Sequence, residues 1–203
     1  DWTFSTGEAL DGEAWFPAIP PQGGAPARVI SSGPDQSVDQ LMLVLLAAIN
    51  TASSSLRIAT PYFLPDEQII TALQLAALRG VEVHVVIPGR NNHRLMGWAM
   101  QAHIRPLLKA GCRIWHSPDP FDHSKLATVE DGWSLIGSAN WDARSLRLNF
   151  EITMELYDPE LAGRIAALID AKRGEAVTLE QIDARWPIVK IRDAAARLLM
   201  PYL

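Results

Sequence analysis

Two glycines, Gly80 and Gly111, constrain this chain more than any other feature of its sequence. Each follows a stretch with helical spacing, Asp66 to Arg79 and Arg94 to Ala110. Each is followed at once by a short, mostly apolar run, Val81 to Ile87 and Cys112 to His116. Glycine just past the last helical turn tolerates the left-handed backbone that ends a helix. A helix that stops there and leads straight into a strand is the repeating unit of a parallel sheet. Arg28 to Ser31 and Leu56 to Thr60 read as further strands, Val38 to Ala52 as a helix, and Pro61 to Pro65 as a loop. The expected class is α/β.

At 203 residues the chain is long enough for one domain with a substantial core. Its formal net charge of −5 makes it a poor general nucleic-acid binder, so no nucleic-acid partner is expected. The single cysteine, Cys112, rules out an internal disulfide and a Cys-rich zinc module. The longest apolar run, Leu41 to Ile49, is too short to span a bilayer, which takes about 20 residues. Residues 1–27 scatter Trp2, Phe4, Trp15 and Phe16 among glycines and prolines and read as a lead or linker. The first residue is Asp1 rather than Met, which fits a piece of a longer protein.

The pattern changes at His123. His123 to Glu130 and Trp133 to Asn140 are strand-like and flank Asp131-Gly132, a strong hairpin signal. A two-residue turn there pairs Glu130 with Trp133, places Lys125 opposite Ser138, and places His123 opposite Asn140. One face would then gather an imidazole, an ammonium, a hydroxyl and a carboxamide. That set suits a phosphate: Lys125 supplies charge, Ser138 and Asn140 supply neutral donors, and His123 can attack or carry a proton. Glu130 would fall on the opposite face, in a structural role. Asn149 to Tyr157 alternates strictly, with Phe150, Ile152, Met154 and Leu156 on one side and Glu151, Thr153 and Glu155 on the other. From that polar side Glu151 could orient His123 by accepting its second ring proton.

His123-Ser-Lys125, Glu130 and Gly137-Ser138-Ala-Asn140 resemble the signature of the phospholipase D superfamily, with Glu130 standing where the family has Asp. Thr60-Pro-Tyr-Phe-Leu-Pro-Asp66, Pro88-Gly-Arg-Asn-Asn-His93 and Leu146-Arg-Leu-Asn-Phe-Glu151 look like the second half of a bacterial cardiolipin synthase. The resemblance implies an α-β-α sandwich with a mixed sheet, residues 28–175 forming the catalytic half-domain and 176–203 a C-terminal helical extension. It implies phosphatidyl transfer between phosphatidylglycerol molecules through a phosphohistidine, with no cofactor and no metal. This chain would supply one of two half-sites, completed by the first half of a parent protein or by a homodimer partner. The parent would sit at the bacterial inner membrane, with this piece soluble by itself. Two other outcomes stay open: a phospholipase D-type phosphodiesterase or homodimeric nuclease, and an isolated half that binds phosphate or lipid without turnover.

Beyond the signature, His93 and Arg144 are candidates for a head-group pocket, and Arg147 for anionic phosphate. His84, His103 and His116 lack a partner at metal-ligand spacing and read as packed residues. Ile188, Ile191, Ala195, Leu198 and Leu199 line one side of a terminal amphipathic helix. That helix is expected to dock on the domain, with a membrane surface as the other candidate partner.

Overall fold

The computed structural model describes residues 5–9, 12–15, 17–34 and 39–198. Its strands are β1 (Ala27–Ser32), β2 (Ser55–Ala59), β3 (Phe63–Leu64), β4 (Glu82–Pro88), β5 (Arg113–Ser117), β6 (Leu126–Val129), β7 (Trp133–Gly137), β8 (Trp141–Asp142), β9 (Glu151–Leu156) and β10 (Ala176–Val177). Its helices are α1 (Gly12–Trp15), α2 (Gln40–Thr51), α3 (Glu67–Leu78), α4 (Arg94–Ala110), α5 (Ala143–Arg147), α6 (Pro159–Ala171), α7 (Leu179–Asp183) and α8 (Pro187–Leu198). Trp2, Phe4, Phe16, Val38 and Leu199 lie outside the described residues.

Gly80 and Gly111 end their helices with φ of 96° and 100°, a left-handed backbone that a side chain would resist. α3 buries Ile69, Leu73 and Ala76, and α4 buries Met96, Met100, Ile104 and Leu107, at the spacing that puts side chains on one helical face. The strands that follow are parallel to β2, giving β2-β4-β5 as the parallel heart of the sheet. The full order is β1-β9-β7-β6-β2-β4-β5-β10, with antiparallel pairing on both flanks, so the sheet is mixed. β3 and β8 pair in parallel as a separate ribbon, where a loop was expected at Pro61 to Pro65. The eighth strand, β10, comes from the segment expected to be helical extension.

Each face of the sheet carries a core. Leu56, Ile58, Val83, Val85, Ile87 and Ala127 pack with α2, α3 and α4 in the larger one. Ala59, Val86 and Leu126 pack beneath Ile165 and Ile169 of α6 on the other. β4 is covered on both sides from Val83 onward, which is why it reads as a mostly apolar run with only His84 interrupting it. Each such buried Ile or Leu is worth roughly 1.5–3 kcal/mol over its exposed state.

Two amphipathic elements face the opposite way from what their composition suggests. On β9 the polar side is buried, with Thr153 and Glu155 at 1 % and 2 % exposure, while Ile152 and Met154 stand 60 % and 40 % exposed. Glu155 is tolerated inside because Arg28 meets it at 2.6 Å and Trp133 and Tyr157 donate to it. Val29, Met154 and Ile136 then lie side by side on the uncovered face of β1, β9 and β7. On α8 the side that docks on α4 carries Asp193 and Ala196. The expected docking residues Ile188, Ile191 and Leu198 are exposed instead. Asp193 is the anchor, held by Arg185 at 2.6 Å and Arg192 at 2.7 Å.

Candidate active site

The hairpin between β6 and β7 is slipped by one residue from the expected register. Val129 pairs with Trp133 and Leu126 with Ile136, so the turn has three residues, Glu130, Asp131 and Gly132. Glu130 takes φ of 51°, in the left-handed region. The cause is tertiary. The Glu130 carboxylate accepts hydrogen bonds from the Ser53 N–H at 2.5 Å, the Ser54 N–H at 2.8 Å and the Ser53 hydroxyl at 3.1 Å. Its own N–H donates to the Ser55 carbonyl at 3.0 Å. These bonds draw Glu130 toward β2 and out of the hairpin ladder. They also hold its carboxyl below the usual glutamate range, outweighing the opposing effect of burial.

The slip changes which residues oppose each other. Lys125 lies across from Gly137, whose N–H donates to the Lys125 carbonyl at 3.3 Å, and not across from Ser138. The expected facing of His123 with Asn140 fails for the same reason. What gathers the signature is the end of the sheet at which it sits. The start of β6, the ends of β7 and β2, and the start of β9 all lie there, because β6 is antiparallel to both β2 and β7 and β9 is antiparallel to β7. β6 begins only at Leu126 and β7 ends at Gly137, so His123, Lys125, Ser138 and Asn140 occupy the connecting segments at that rim.

There the side chains of His123 and Lys125 meet. Lys125 Nζ lies 3.0 Å from His123 Nδ1 and 3.3 Å from Nε2, and donates to the His123 carbonyl at 2.8 Å. Lys125 is buried, whereas His123 is exposed. Partial desolvation by its neighbours, followed by the Lys125 charge, pushes the His123 pKa below its ordinary value, while Asp122 opposes. Burial likewise lowers Lys125, against the attraction of Glu151, Asp122 and Asp142. These effects favour a neutral imidazole at His123, and at Lys125 the carboxylates of Glu151, Asp122 and Asp142 partly offset the cost of burying an ammonium.

Glu151 makes different contacts from those expected. It accepts from the Ser138 hydroxyl, and from Asn149 Nδ2 at 3.2 Å, and forms no hydrogen bond with His123. Ser138 is fixed further by the Ile152 N–H at 3.0 Å. Asn140 Nδ2 donates to Ser145 Oγ at 3.0 Å, and its Oδ1 is buried with no hydrogen-bond partner among the described residues. Asp142 caps α5 by accepting from the Ser145 N–H at 2.8 Å. Burial raises the Asp142 pKa against the lowering effect of these N–H bonds.

A cavity of about 420 Å³ opens beside this cluster, lined in part by Tyr62, His93, Asn140, Arg144, Ser145 and Asn149. His93 and Arg144 therefore do share a pocket with Asn140. Arg147 does not: it is committed to Asp66 at 2.7 Å and Asp39 at 3.5 Å. Tyr62 was not singled out from sequence. Its ring lies 5.9 Å from His93 and 6.0 Å from His123, with its hydroxyl donating to Asn92 at 2.8 Å. The signal available was an aromatic residue in the loop directly after a central parallel strand, at the carboxyl edge where such sheets bind ligands. His84 and His103 are buried, and burial takes both to a pKa of about 4. Among the described residues, no group of three or more His, Cys, Asp or Glu is placed to hold a metal ion.

Residues 45–172 match the sequence profile of the family described as cardiolipin synthase, phospholipase D-like domain. The chain belongs to this family. Cardiolipin synthase 2 of Staphylococcus epidermidis is 34 % identical over 207 residues, covering 100 % of this chain and 42 % of that protein. The major cardiolipin synthase ClsA of Bacillus subtilis is 34 % identical over 190 residues, covering 93 % of this chain and 39 % of that protein. The chain thus spans about two fifths of the length of these relatives. Nuc from Salmonella typhimurium, a phospholipase D family member, shares the fold with a TM-score of 0.65 at 24 % identity, over 76 % of this chain and 99 % of that one. Phosphatidylserine synthase of Haemophilus influenzae does so with a TM-score of 0.67 at 17 % identity, over 87 % of this chain and 48 % of that one. No helix among the described residues is long and apolar enough to cross a membrane.

Proposed function

We propose that this chain is one catalytic half of a phosphatidyltransferase of the cardiolipin synthase type. The observation that carries the reading is the pairing of an exposed His123 with a buried Lys125 at 3.0 Å. In the reaction, a histidine nitrogen attacks the phosphorus of phosphatidylglycerol. The N–P bond forms, the bond to the head-group glycerol breaks, and the departing oxygen takes a proton from the histidine of the other half-site. That second histidine then removes the proton from the hydroxyl of an acceptor phosphatidylglycerol. The freed oxygen attacks phosphorus, the N–P bond breaks, and cardiolipin leaves. His123 supplies one of the two histidines. Its lowered pKa suits the neutral form required of an attacking nucleophile and of the base in the second step.

Lys125 supplies fixed positive charge for the non-bridging oxygens, whose negative charge grows as phosphorus becomes five-coordinate. Glu151 acts as a positioning residue through Ser138 and through the charge of Lys125. Two features favour a shared site. The relatives are more than twice as long as this chain. The apolar row of Val29, Met154 and Ile136, with Ile152, is uncovered beside Ser138 and Glu151, as expected of a surface that a partner domain covers.

The test is incubation of the full-length protein with phosphatidylglycerol vesicles. Cardiolipin and free glycerol in equal amounts are expected. Cleavage of nucleic acid with no lipid product would overturn the proposal.

A further inference from the structure

A second cavity, of about 560 Å³, draws Asn91 and Arg94 from the same segment that gives His93, Leu95 and Met96 to the His93–Arg144 pocket. It opens where β4 ends, at Pro88 and Gly89, which is the carboxyl edge of the parallel strands. Arg90, Arg94 and Arg185 line it, and no Asp or Glu does. In a chain of net charge −5 this is a local excess of positive charge. Arg90 and Arg94 have no carboxylate within ion-pairing distance among the described residues, whereas Arg185 is anchored by Asp193 at 2.6 Å. Arg94 lies 5.6 Å from the ring of Trp98, and Arg192 lies 4.3 Å from the same ring. The indole, itself part of the cavity wall, thereby holds Arg94 by one ring contact, while Arg192 is paired with Asp193 at 2.7 Å.

Unpaired guanidinium groups in a concave site, with neutral donors such as Gln101 beside them, recognise phosphate oxygens well. The rest of the lining mixes Asn91 and Gln101 with Pro88 and the Trp98 ring, leaving room for a polyol phosphodiester such as a glycerophosphoglycerol head group. Trp186, which directly follows the lining residue Arg185 in sequence, is exposed, as are Ile188 and Ile191 of α8, the helix that docks on α4.

We propose that this cavity is a second anion subsite, which holds the phosphodiester of the acceptor glycerophospholipid while the donor phosphorus is at His123. The inference rests on the phosphatidyltransferase reading. It explains how one active site could hold two anionic lipids: each phosphate has its own cations, and the Asn91–Met96 segment lends residues to both cavities.

The test is nuclear magnetic resonance of the ¹⁵N-labelled chain, titrated with glycerophosphoglycerol and, separately, with inorganic phosphate. Glycerophosphoglycerol is expected to shift the amides of Gly89 and Gly97 and the indole N–H of Trp98. Arg90→Gln together with Arg94→Gln should weaken those shifts at least ~10-fold in affinity, the loss expected when charged hydrogen-bond donors are removed. Shifts at Asn140 and Ser145 should be unaltered, and intact dispersion of the other amides confirms folding. Shifts confined to Asn140 and Ser145, or unchanged affinity in the double variant, would overturn the subsite. Inorganic phosphate binding there as tightly as glycerophosphoglycerol would overturn its assignment to a lipid. None of these readouts requires turnover, so they stand or fall separately from the catalytic reading.

Discussion

The slipped hairpin makes a signed prediction at Glu130. Replacing it by Ala removes three hydrogen bonds to Ser53 and Ser54. Bonds to a charged acceptor are worth roughly 1.5–3 kcal/mol each when dry, but this carboxylate is half-exposed and water recovers much of that. A total loss of about 2 kcal/mol is expected. Replacing it by Gly removes the same bonds and also relieves the backbone, because at φ of 51° any Cβ is crowded. That relief outweighs the greater freedom of glycine in the unfolded chain, so the Gly variant should be more stable than the Ala variant by about 1 kcal/mol. In a chain of this size the difference is roughly 2–4 °C in Tm. Thermal and urea unfolding of the two variants, side by side, measure it. With the two-residue turn that Asp131-Gly132 suggests, Glu130 would be extended strand, and Gly would instead be worse than Ala by about 0.5–1 kcal/mol. An Ala variant more stable than the Gly variant would therefore refute both the register and its explanation.

Other outcomes follow from the same structure. His84 and His103 hold pKa values of about 4 in the fold, mainly through burial, against about 6.5 in the unfolded chain. The unfolded chain takes up these protons first, so stability is complete above pH ~6.5 and falls as pH drops toward 4, by up to about 3 kcal/mol per histidine. Urea midpoints measured at pH 7 and pH 5 should show the fall, and a flat profile would contradict it. Glu151→Gln removes a charge that favours the Lys125 ammonium. In the full-length protein it should lower kcat more than KM and move the alkaline limb of the pH–rate profile to lower pH. An unshifted limb would mean that Glu151 does not act through Lys125. The isolated chain, lacking the second histidine, should form cardiolipin at least ~100-fold more slowly than the full-length protein, the smallest usual contribution of general acid–base catalysis. Equal rates from a monomer would remove the need for two halves.

Much of the architecture was legible because its signals are local. Gly80 and Gly111 end helices for a reason that needs no tertiary partner, and α4 runs over Arg94–Ala110 as its spacing predicts. The signature residues were legible as a set, and the fold does bring His123 to Lys125. Their facing was not, because Asp131-Gly132 competes with bonds from Glu130 to serines 76 and 77 positions away in sequence. The orientation of β9 was hidden similarly: periodicity separates two faces but does not say which is covered, and Arg28 makes the polar one habitable. Tyr62 was visible only as a member of the Thr60–Asp66 run, because nothing but its place at the carboxyl edge of β2 marks a loop aromatic as part of a site. Arg147 looked like a phosphate ligand until Asp66 and Asp39 were seen to occupy it.

The central claim is that His123, exposed beside the Lys125 ammonium, takes part in the chemistry at phosphorus. The direct measurement is the rate of cardiolipin formation from phosphatidylglycerol by the full-length protein carrying His123→Ala, with unfolding curves confirming that its stability is unchanged. Among the described residues the His123 ring makes no hydrogen bond except that to Lys125, so the fold should persist. A loss of at least ~100-fold is predicted, the minimum for removing an acid–base group and less than that for removing a nucleophile. A folded variant that still makes cardiolipin at close to the wild-type rate would contradict the account.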